Sequence, residues 1–531
     1  MKQSVVVAGL SARMMVESLR GGGRGAIALD LFGDEDTRAA ALAWHAIGDP
    51  NRLAFDDKLF LDAILKSARR GDVAGWVAGS GFEARTDLLA RGAALLPLLG
   101  NAAGLVQRVR TPGWFYPWLV AHEVAHAEVS IERPASLDGW LVKNARACGG
   151  WHVRPAGRAD AASEGGYYQR RVDGPAMSVL FLADRHEWRI IGVARQIVRP
   201  LCGHPYVYRG GIGPVAVSPG ARRRLENMLD RIVPGLGLCG LNGIDFILSG
   251  EVPVLIELNP RPTATLALFD AAIPGGLMQA HVAVCRGASL ADFRVAKLDE
   301  IRGSEVVYAR RGGVVEAELA QWMTAQGWCR DIPAAGTPHA FGDPVCSVVT
   351  QGRDEAEVEC MLAAHRDAVA GNLEARAPVC AEGVRASLAR ADARGPASTE
   401  EVEMTQWRKK ERDEPYAEAE IKARLEAELP EWYYENGWIR RKYRTSGWKG
   451  TLMVINTVGH LAEAAFHHPD IAASYAFVIV KLMNHAAKGV TDKDFELAKK
   501  IEEVVMWQPG TEGGALEGTP EDPRFSYIKY R

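Results

Sequence analysis

The chain has 531 residues, of which 47% are hydrophobic and 24% charged, and its formal net charge at pH 7 is −3. This length predicts three to four domains with ample material for their cores, and the small charge gives no general attraction to nucleic acid or to a membrane surface. Because no apolar run is long enough to span a membrane and no signal peptide is recognised, we expect a cytoplasmic protein.

Lysine is unevenly distributed along the chain. The first 400 residues contain five lysines and the last 131 contain eleven. This difference indicates that two proteins were joined, and residues 378–405, which have little apolar periodicity, predict the linker between them. The eight cysteines lie between Cys148 and Cys380 without a C-x-x-C pair, a pattern typical of reduced thiols.

The N-terminal residues predict a β-α-β unit. Val5–Ala8 predicts a buried strand, Ala12–Leu19 a helix and Ala26–Leu29 a second strand. Such a unit can bind a dinucleotide, but Gly9–Ala12 lacks the three-glycine fingerprint that this requires. The start of the chain therefore predicts an α/β lobe and disfavours an NAD site.

A hairpin is predicted further along the chain. Ile244–Leu248 and Val252–Leu258 have the composition of strands and flank a turn signal. With the turn centred on Glu251, Asp245 lies directly opposite Glu257, because each is six residues away. Facing carboxylates would be about 5 Å apart, which is repulsive unless a cation lies between them.

Two further side chains extend this pattern. Asn259 lies two residues after Glu257 and therefore shares its face of the strand. With Asp245, this gives three oxygen donors on one face, and Arg261 follows just beyond them. Such a group suits magnesium and a phosphate. The alternative is a charged hairpin with a solvated face.

This hairpin, which ends in Glu257-Leu258-Asn259-Pro260-Arg261, resembles the magnesium-binding end of the ATP-grasp family, and the resemblance extends over roughly residues 5–370. It implies a strand Trp140–Lys143 whose lysine reaches a nucleotide phosphate, a paired-glycine loop over the phosphates, and a hinge strand, Tyr167–Val172, beside the adenine. The hinge departs from the family at Gln169–Arg171, where an acidic residue is expected.

Enzymes of this family use ATP to phosphorylate a carboxylate, which an amine then attacks. The resemblance implies ATP and magnesium as cofactors. The implied metal ligands are Asp245, Glu257 and Asn259, and the implied ATP-binding residues are Lys143, Gly149, Gly150 and Arg261. A scaffold that has lost catalysis is an alternative, which the intact metal ligands disfavour.

No motif identifies the substrate of this half. Arg209–Gly213 is glycine-rich and predicts either a loop that faces the substrate or an ordinary turn. Pro333–Thr350 and a helix over Glu355–Val369 predict a third lobe.

The C-terminal part is dense in histidine. Three of the thirteen histidines lie between Glu463 and Asp494. A helix with apolar steps of three and four residues precedes them, and Pro469 is expected to end it, with Glu463 and His467 on one face. The predicted inner residues of this helix are Leu452, Ile455, Val458, Ala462 and Ala465.

Two more elements complete this region. Tyr475–Leu482 is rich in β-branched and aromatic residues and predicts a strand. A second helix is expected to begin after Thr491, its N-cap. The predicted inner residues of the second helix are Phe495, Ala498, Ile501 and Val505.

Each polar group also has a structural interpretation. His467-His468-Pro469 could be a helix C-cap, and Asp494 could be the acidic half of a capping box with Thr491. Either interpretation would be preferred for one group alone, but the histidine at position 485 and the spacing favour catalysis. Zinc is disfavoured because no cysteine lies in this region.

The string Glu463, His467-His468-Pro469, Tyr475, His485 and Asp494, with its spacing, resembles the active-site signature of pterin-4a-carbinolamine dehydratases, over Glu414–Val505. The resemblance implies that three histidines surround the pterin and divide the proton transfers, while three other side chains orient the rings. The implied catalytic residues are His467, His468 and His485, and the implied orienting residues are Glu463, Tyr475 and Asp494. The dehydratase requires no cofactor.

The same fold also serves in protein partnership, so a non-catalytic dimerisation module on a carboxylate-amine ligase is the alternative, which the three histidines disfavour. In either case we expect a homo-oligomer formed through the C-terminal domain. The expected small molecules are a pterin and ATP, without nucleic acid or membrane.

The sequence thus predicts a bifunctional enzyme of pterin cofactor metabolism with a multidomain fold, α/β followed by α+β. A three-lobed ATP-grasp half is expected before a small domain with an antiparallel sheet and helices on one face. The expected parts are an N-terminal lobe (1–105), the nucleotide and metal-binding region (106–285), a C-terminal lobe (286–377), the linker (378–405), the dehydratase-like domain (406–507) and a tail (508–531).

Overall fold

The computed structural model describes residues 3–157, 165–375, 415–484, 487–508 and 528. The chain divides into two compact units, Met1–Ala393 and Arg394–Arg531. The predicted linker lies outside the described residues, and the predicted domain boundaries stay predictions. No described helix is by itself long and apolar enough to cross a membrane, and one pair, Leu266–Ala272 with Leu277–Cys285, passes that test only when joined across an 83° bend.

The first unit begins with a parallel sheet. The predicted β-α-β start is confirmed, since β1 (Ser4–Ala8) pairs in parallel with β2 (Ala26–Asp30) and α1 (Arg13–Gly21) connects them. Both strands are buried along their whole length, as their continuous apolar sequence requires. The other elements are α2 (Glu35–Ala40), β3 (Ala43–Ala46), β4 (Gly48–Asp49), β5 (Ala54–Phe55), α3 (Asp57–Ala68), β6 (Val73–Ala78), α4 (Thr86–Leu95), α5 (Ala103–Val109) and α6 (Pro112–Ala121). The sheet order is β3-β2-β1-β6.

Two larger antiparallel sheets and a two-stranded one follow. The elements are β7 (Val129–Ser130), β8 (Trp140–Asn144), β9 (Arg154–Pro155), β10 (Gly166–Arg170), β11 (Ala176–Asp184), β12 (Trp188–Leu201), β13 (His204–Gly213), α7 (Pro219–Leu236), β14 (Cys239–Ser249), β15 (Val252–Asn259), α8 (Leu266–Phe269), α9 (Leu277–Cys285), β16 (Ile301–Tyr308), β17 (Gly313–Val314), α10 (Ala317–Ala325), β18 (Cys329–Arg330), β19 (Pro338–His339), β20 (Pro344–Gly352) and α11 (Glu355–Ala375). The four-stranded sheet has the order β7-β10-β8-β9, the eight-stranded one has the order β15-β14-β11-β12-β13-β16-β20-β18, and β17 pairs with β19 in the two-stranded one. The predicted helix of the third lobe is confirmed by α11.

The glycine-rich segment Arg209–Gly213 is not a loop or a turn. It forms the end of β13, between β12 and β16. A Cβ atom on Gly210 would lie 1.9 Å from the backbone oxygen of Ser304, so glycine here permits close approach of two strands.

The predicted hairpin is formed by β14 and β15, and Asp245 pairs with Glu257 as expected. The centre of the turn lies between Gly250 and Glu251, half a residue earlier than predicted, because Ser249 pairs with Val252. A bulge at Ile256 then adds one residue to β15 and restores the predicted pairing. The expected register is therefore confirmed, although two features combine to produce it.

The described part of the second unit has one antiparallel sheet and three helices. Its elements are α12 (Glu418–Glu428), β21 (Tyr433–Glu435), β22 (Trp438–Arg444), α13 (Trp448–Ala465), β23 (Asp470–Ser474), β24 (Phe477–Leu482) and α14 (Asp492–Val505). The sheet order is β21-β22-β24-β23. Alternate residues of β24, namely Val478, Val480 and Leu482, are buried in a core shared with the helices, so one face of the sheet is covered.

Helix α14 agrees with the sequence prediction, because all four of its predicted inner residues are buried. Helix α13 is rotated about its axis relative to the predicted inner face. Leu452 and Ala465 of α13 are exposed, whereas Thr451 and Val454 are buried with Val458 and Ala462. The helix therefore leaves an apolar side chain, Leu452, on its outer surface.

The predicted strand at Tyr475 begins later than expected. Tyr475 lies in the turn between β23 and β24, and β23 was not predicted. All five residues of β23 are exposed, so it has no alternation of apolar side chains by which a sequence pattern could detect it. Ile528 of the tail pairs with Thr445 and is buried.

A buried carboxylate cluster joins the first and third lobes. The Nε atom of Arg13 donates to Oδ1 of Asp331 at 2.7 Å, and the backbone nitrogen of Asp331 donates to Asp36 at 2.8 Å. Burial, with the neighbouring Asp331, Asp30 and Asp36, raises the pKa of Asp34 well above its usual range. Ionisation of Asp34 therefore opposes folding.

Replacement of Asp34 by asparagine is expected to raise the Tm of this half by roughly 2–4 °C at pH 8. A carboxyl group whose folded pKa is raised costs stability as the pH rises from the unfolded value to the folded one. The gain should be smaller at pH 5, because a lower pH favours the uncharged, protonated form of Asp34. Calorimetry at both pH values measures this, and an equal or larger gain at pH 5 would contradict it.

Candidate functional sites

The three predicted metal ligands lie together. Asp245 and Glu257 are paired across β14 and β15, and Nδ2 of Asn259 donates to Oδ2 of Asp245 at 3.0 Å. Gln196 of β12 donates to the other oxygen of Asp245 at 2.8 Å. Burial and the Glu257 carboxylate raise the pKa of Asp245. This set of carboxylate and amide oxygens fits a hard cation such as magnesium.

Arg110 supplies a positive charge that the sequence analysis missed. It follows α5, and its Nη1 donates to Oε1 of Glu257 at 2.5 Å while its Nη2 donates to Oδ1 of Asn259 at 2.9 Å. Burial alone would raise the pKa of Glu257, but Arg110 and Lys143 lower it. The carboxylate repulsion predicted from the sequence is therefore partly relieved by a side chain.

Glu83 is the second residue that the sequence analysis missed. It is buried, and its carboxylate accepts hydrogen bonds from Arg110 and from Nε of Arg261. Arg261 also reaches Oδ1 of Asn259 at 3.4 Å. Glu83 thus holds two guanidinium groups beside the predicted metal ligands.

Lys143 is buried on β8, and its Nζ donates to Oε1 of Gln169 at 3.1 Å. Gln169 stands where an acidic residue was expected. Its amide nitrogen donates to the hydroxyl of Tyr116 at 3.0 Å and to the backbone oxygen of Ile256, the bulge residue, at 3.2 Å. A glutamate could not donate these two bonds, which gives the departure from the family pattern a physical reason.

The paired glycines lie in a turn between β8 and β9. Both have positive φ, and a Cβ on Gly150 would lie 1.9 Å from the backbone oxygen of Tyr206. The oxygen of Gly149 accepts a hydrogen bond from the nitrogen of Tyr208 at 2.9 Å. Burial and then Lys143 lower the pKa of the following His152 to about 4. The turn therefore lies beside the lysine and the β13 strand.

In the second unit, His467 is held by Asp494. Nε2 of His467 lies 2.7 Å from Oδ1 of Asp494, which is fully buried. The other carboxylate oxygen accepts from the backbone nitrogen of Thr491 at 2.7 Å and from its hydroxyl at 3.1 Å. The capping box is present, and the same aspartate orients the histidine.

The predicted placement of Glu463 and His467 on one helix face is wrong. Helix α13 ends at Ala465, and Phe466 adopts a left-handed conformation that turns His467 away from the helix. Glu463 instead lies beside His468, with 3.0 Å between Oε2 and Nε2. This second pair is largely exposed, unlike the first.

Of the two remaining predicted residues, only Tyr475 is described by the structure, and it is not brought to this cluster. His485 lies outside the described residues. Tyr475 packs against Gly447 at the start of α13, whereas the histidines follow its end. An 18-residue helix is about 27 Å long, so within one chain Tyr475 lies far from His467. Among the described residues no group of three or more His, Cys, Asp or Glu side chains could hold a metal ion.

Comparisons with known proteins divide the chain in the same way. The family model for pterin 4 alpha carbinolamine dehydratase matches residues 414–504, and the model for an ATP-grasp domain matches residues 107–265. A protein of Aquifex aeolicus named for pterin-4-alpha-carbinolamine dehydratase is 43% identical over 89 residues, which is 17% of this chain and 89% of that protein. A protein of the same description from Sulfolobus acidocaldarius is 37% identical over 87 residues, 16% of this chain and 94% of that protein.

Solved structures resemble the first unit. An L-amino acid ligase from Bacillus licheniformis matches with a TM-score of 0.53 and 13% identity, over 69% of this chain and 98% of that one. Biotin carboxylase from Campylobacter jejuni matches with a TM-score of 0.52 and 13% identity, over 68% of this chain and 89% of that one. At this identity the likeness shows the fold alone. Through residues 414–504 the chain belongs to the pterin-4a-carbinolamine dehydratase family, and its residues 107–265 match the family model for an ATP-grasp domain.

Proposed function

We propose that the chain is a bifunctional enzyme of pterin cofactor metabolism. Its C-terminal domain dehydrates a 4a-hydroxytetrahydropterin, the carbinolamine, to the quinonoid dihydropterin. Its N-terminal half is an ATP- and magnesium-dependent ligase that joins a carboxylate to an amine. The observation that carries the proposal is the hydrogen-bonded series Thr491, Asp494 and His467 within a domain of the dehydratase family.

The dehydration removes one molecule of water from the pterin ring. A base takes the proton from N5, an acid protonates the hydroxyl on C4a as it leaves, and a C4a–N5 double bond forms. Both groups must be held on one small ring, and imidazoles suit both tasks near neutral pH.

His467 is assigned as the base. Asp494 already accepts two hydrogen bonds from Thr491, and as a carboxylate it can only accept, so Nε2 of His467 carries the proton that it donates. Nδ1 is then the basic nitrogen. The buried carboxylate also stabilises the imidazolium that forms when Nδ1 accepts the N5 proton.

His468 is assigned as the acid. Its Nε2 lies 3.0 Å from Oε2 of Glu463, and its exposure allows solvent to restore the proton that it gives to the hydroxyl. For His485 we keep the role predicted from the sequence, a share in the proton transfers.

In the N-terminal half, ATP would transfer a phosphoryl group to a carboxylate, releasing ADP, and an amine would displace phosphate from the acyl phosphate. Lys143, Arg110 and Arg261 would neutralise phosphate charge, as phosphoryl transfer requires. Asp245, Glu257 and Asn259 would hold magnesium, which supplies further charge neutralisation when bound. Gly149 and Gly150 permit close approach of the backbone to the phosphates.

A second copy of the chain is the proposed partner of the C-terminal domain. Leu452 and Met453 are exposed on α13, and the edge strand β23 is exposed along its whole length. An apolar helix surface and an open sheet edge are both features that a homo-oligomer would cover.

Calorimetry of the full chain tests whether the two units bind the two proposed ligands. Magnesium with ATP should raise the Tm of one unfolding transition, and a stable dihydropterin should raise the Tm of another. At a ligand concentration a hundredfold above Kd, each ligand should stabilise its unit by about 2.7 kcal/mol. An absence of both shifts, or a shift of one common transition by either ligand, would overturn the proposal.

A further inference from the structure

Four arginines surround one cavity of the first unit. Arg199 lies on β12, Arg209 on β13, Arg310 just after β16 and Arg366 on α11. The cavity has a volume of about 310 Å³. Its other lining residues are Leu201, Val307, Tyr308, Ala309, Phe341 and Ala370.

The arginines are only partly balanced by carboxylates. Glu305, which is buried, accepts from Nη1 of Arg366 at 3.2 Å and lies 3.9 Å from Nε of Arg209. Arg310 pairs with exposed residues of α11, and in the described part of the chain Arg199 has no carboxylate partner. One buried carboxylate thus faces several guanidinium groups.

Arg209 lies in the wall of this cavity with its charge only partly compensated. Its guanidinium lies over the ring of Tyr308, 5.4 Å from the centroid. Its Nε is buried and donates to no described residue, since the carboxylate of Glu305, at 3.9 Å, is too distant for a hydrogen bond. An anion in the cavity would add negative charge that Glu305 alone does not supply.

The cavity adjoins the proposed ligase site. Trp151 follows the paired glycines, and its ring meets the edge of Tyr308 with 5.8 Å between centroids. The nitrogen of Tyr208, next to Arg209, donates to Gly149. The turn that holds the paired glycines therefore lies against the wall of the arginine cavity, and the following His152 lies near enough to Lys143 for that charge to lower its pKa.

We propose that this cavity binds an anionic group of the ligase substrate, a carboxylate or phosphate other than the carboxylate that reacts. Guanidinium groups recognise both anions through paired hydrogen bonds, and the apolar residues of the wall suit a short carbon stem. The inference rests on the proposed ligase function and adds to it the class of substrate: a molecule with at least two anionic groups.

The test measures the Tm of the full chain with inorganic phosphate or glutarate, at an ionic strength held constant with potassium chloride. Either anion should give a saturable rise above the chloride control. Arg209→Gln and Arg199→Gln should each weaken that binding about tenfold or more. Arg353→Gln is the matched control, since it removes an exposed arginine beside α11 that does not line the cavity, and it should bind like wild type.

The two arginine variants, and a measurement with magnesium and ATP present, distinguish the possible results. Arg199 is exposed, so Arg199→Gln remains informative if the partly buried Arg209 variant does not fold. A response to phosphate alone identifies a phosphorylated substrate, and a response to glutarate alone a dicarboxylate. Equal anion binding by wild type and Arg199→Gln, no anion effect, or loss of the effect at saturating magnesium with ATP would overturn the inference. A wild-type protein whose Tm does not change with magnesium and ATP would instead contradict the ligase proposal.

Discussion

Replacement of His467 by alanine is expected to lower the rate of carbinolamine dehydration by a factor on the order of 10² to 10⁴, the range for a positioned acid or base. The variant removes the nitrogen that we propose accepts the N5 proton and leaves Asp494 without its 2.7 Å contact. The measurement generates the carbinolamine in the assay and records the acceleration over the uncatalysed reaction.

Two further variants separate catalysis from folding. His467→Gln keeps a donor for Asp494 but has no basic nitrogen, so it should regain stability without regaining turnover. His460→Ala changes an exposed histidine on α13 and should behave like wild type. A wild type without acceleration, or a triple variant of His467, His468 and His485 as active as wild type, would leave the dimerisation module as the better interpretation.

Replacement of Glu257 by glutamine is expected to abolish magnesium-dependent ATP turnover and leave dehydration unchanged. The variant removes a proposed metal ligand and one half of the ion pair with Arg110. Because the side chain of Arg110 is nearly buried and would keep only Glu83 as a charged partner, the first unit should also become less stable. ATP turnover and the Tm of each transition measure the two effects.

Glu251→Gln is the control for this variant. Glu251 lies in the turn of the same hairpin, is exposed, and bonds Ser218 and Arg224 away from the metal ligands. It should leave ATP turnover unchanged. Normal turnover by Glu257→Gln would refute the metal-site assignment.

Local patterns predicted the elements that carry the chemistry. The hairpin, the capped helix α14 and the first β-α-β unit each depend on residues that are close in sequence, so periodicity and turn signals were sufficient. Arg110 and Glu83 could not be found in this way. They reach Glu257 and Arg261 from 147 and 178 residues away, and only tertiary packing brings them there.

The histidine cluster shows the limit of helical spacing. Glu463 and His467 are four residues apart, which places two side chains on one face only while the helix continues. The left-handed residue Phe466 ends helix α13 before Pro469. As a result His468, not His467, contacts Glu463, and His467 contacts Asp494. A non-glycine residue in this conformation carries little signal in a single sequence.

The bulge at Ile256 gives the proposed ligase site a backbone acceptor that a regular hairpin would lack. Deletion of that one residue would still leave Glu257 opposite Asp245, because the pairs on either side of the bulge would then follow one another in regular register. The backbone oxygen of Ile256, which accepts from Tyr116 and Gln169, would be lost with it. The deletion should therefore loosen Gln169 and its partner Lys143 while the carboxylates stay paired.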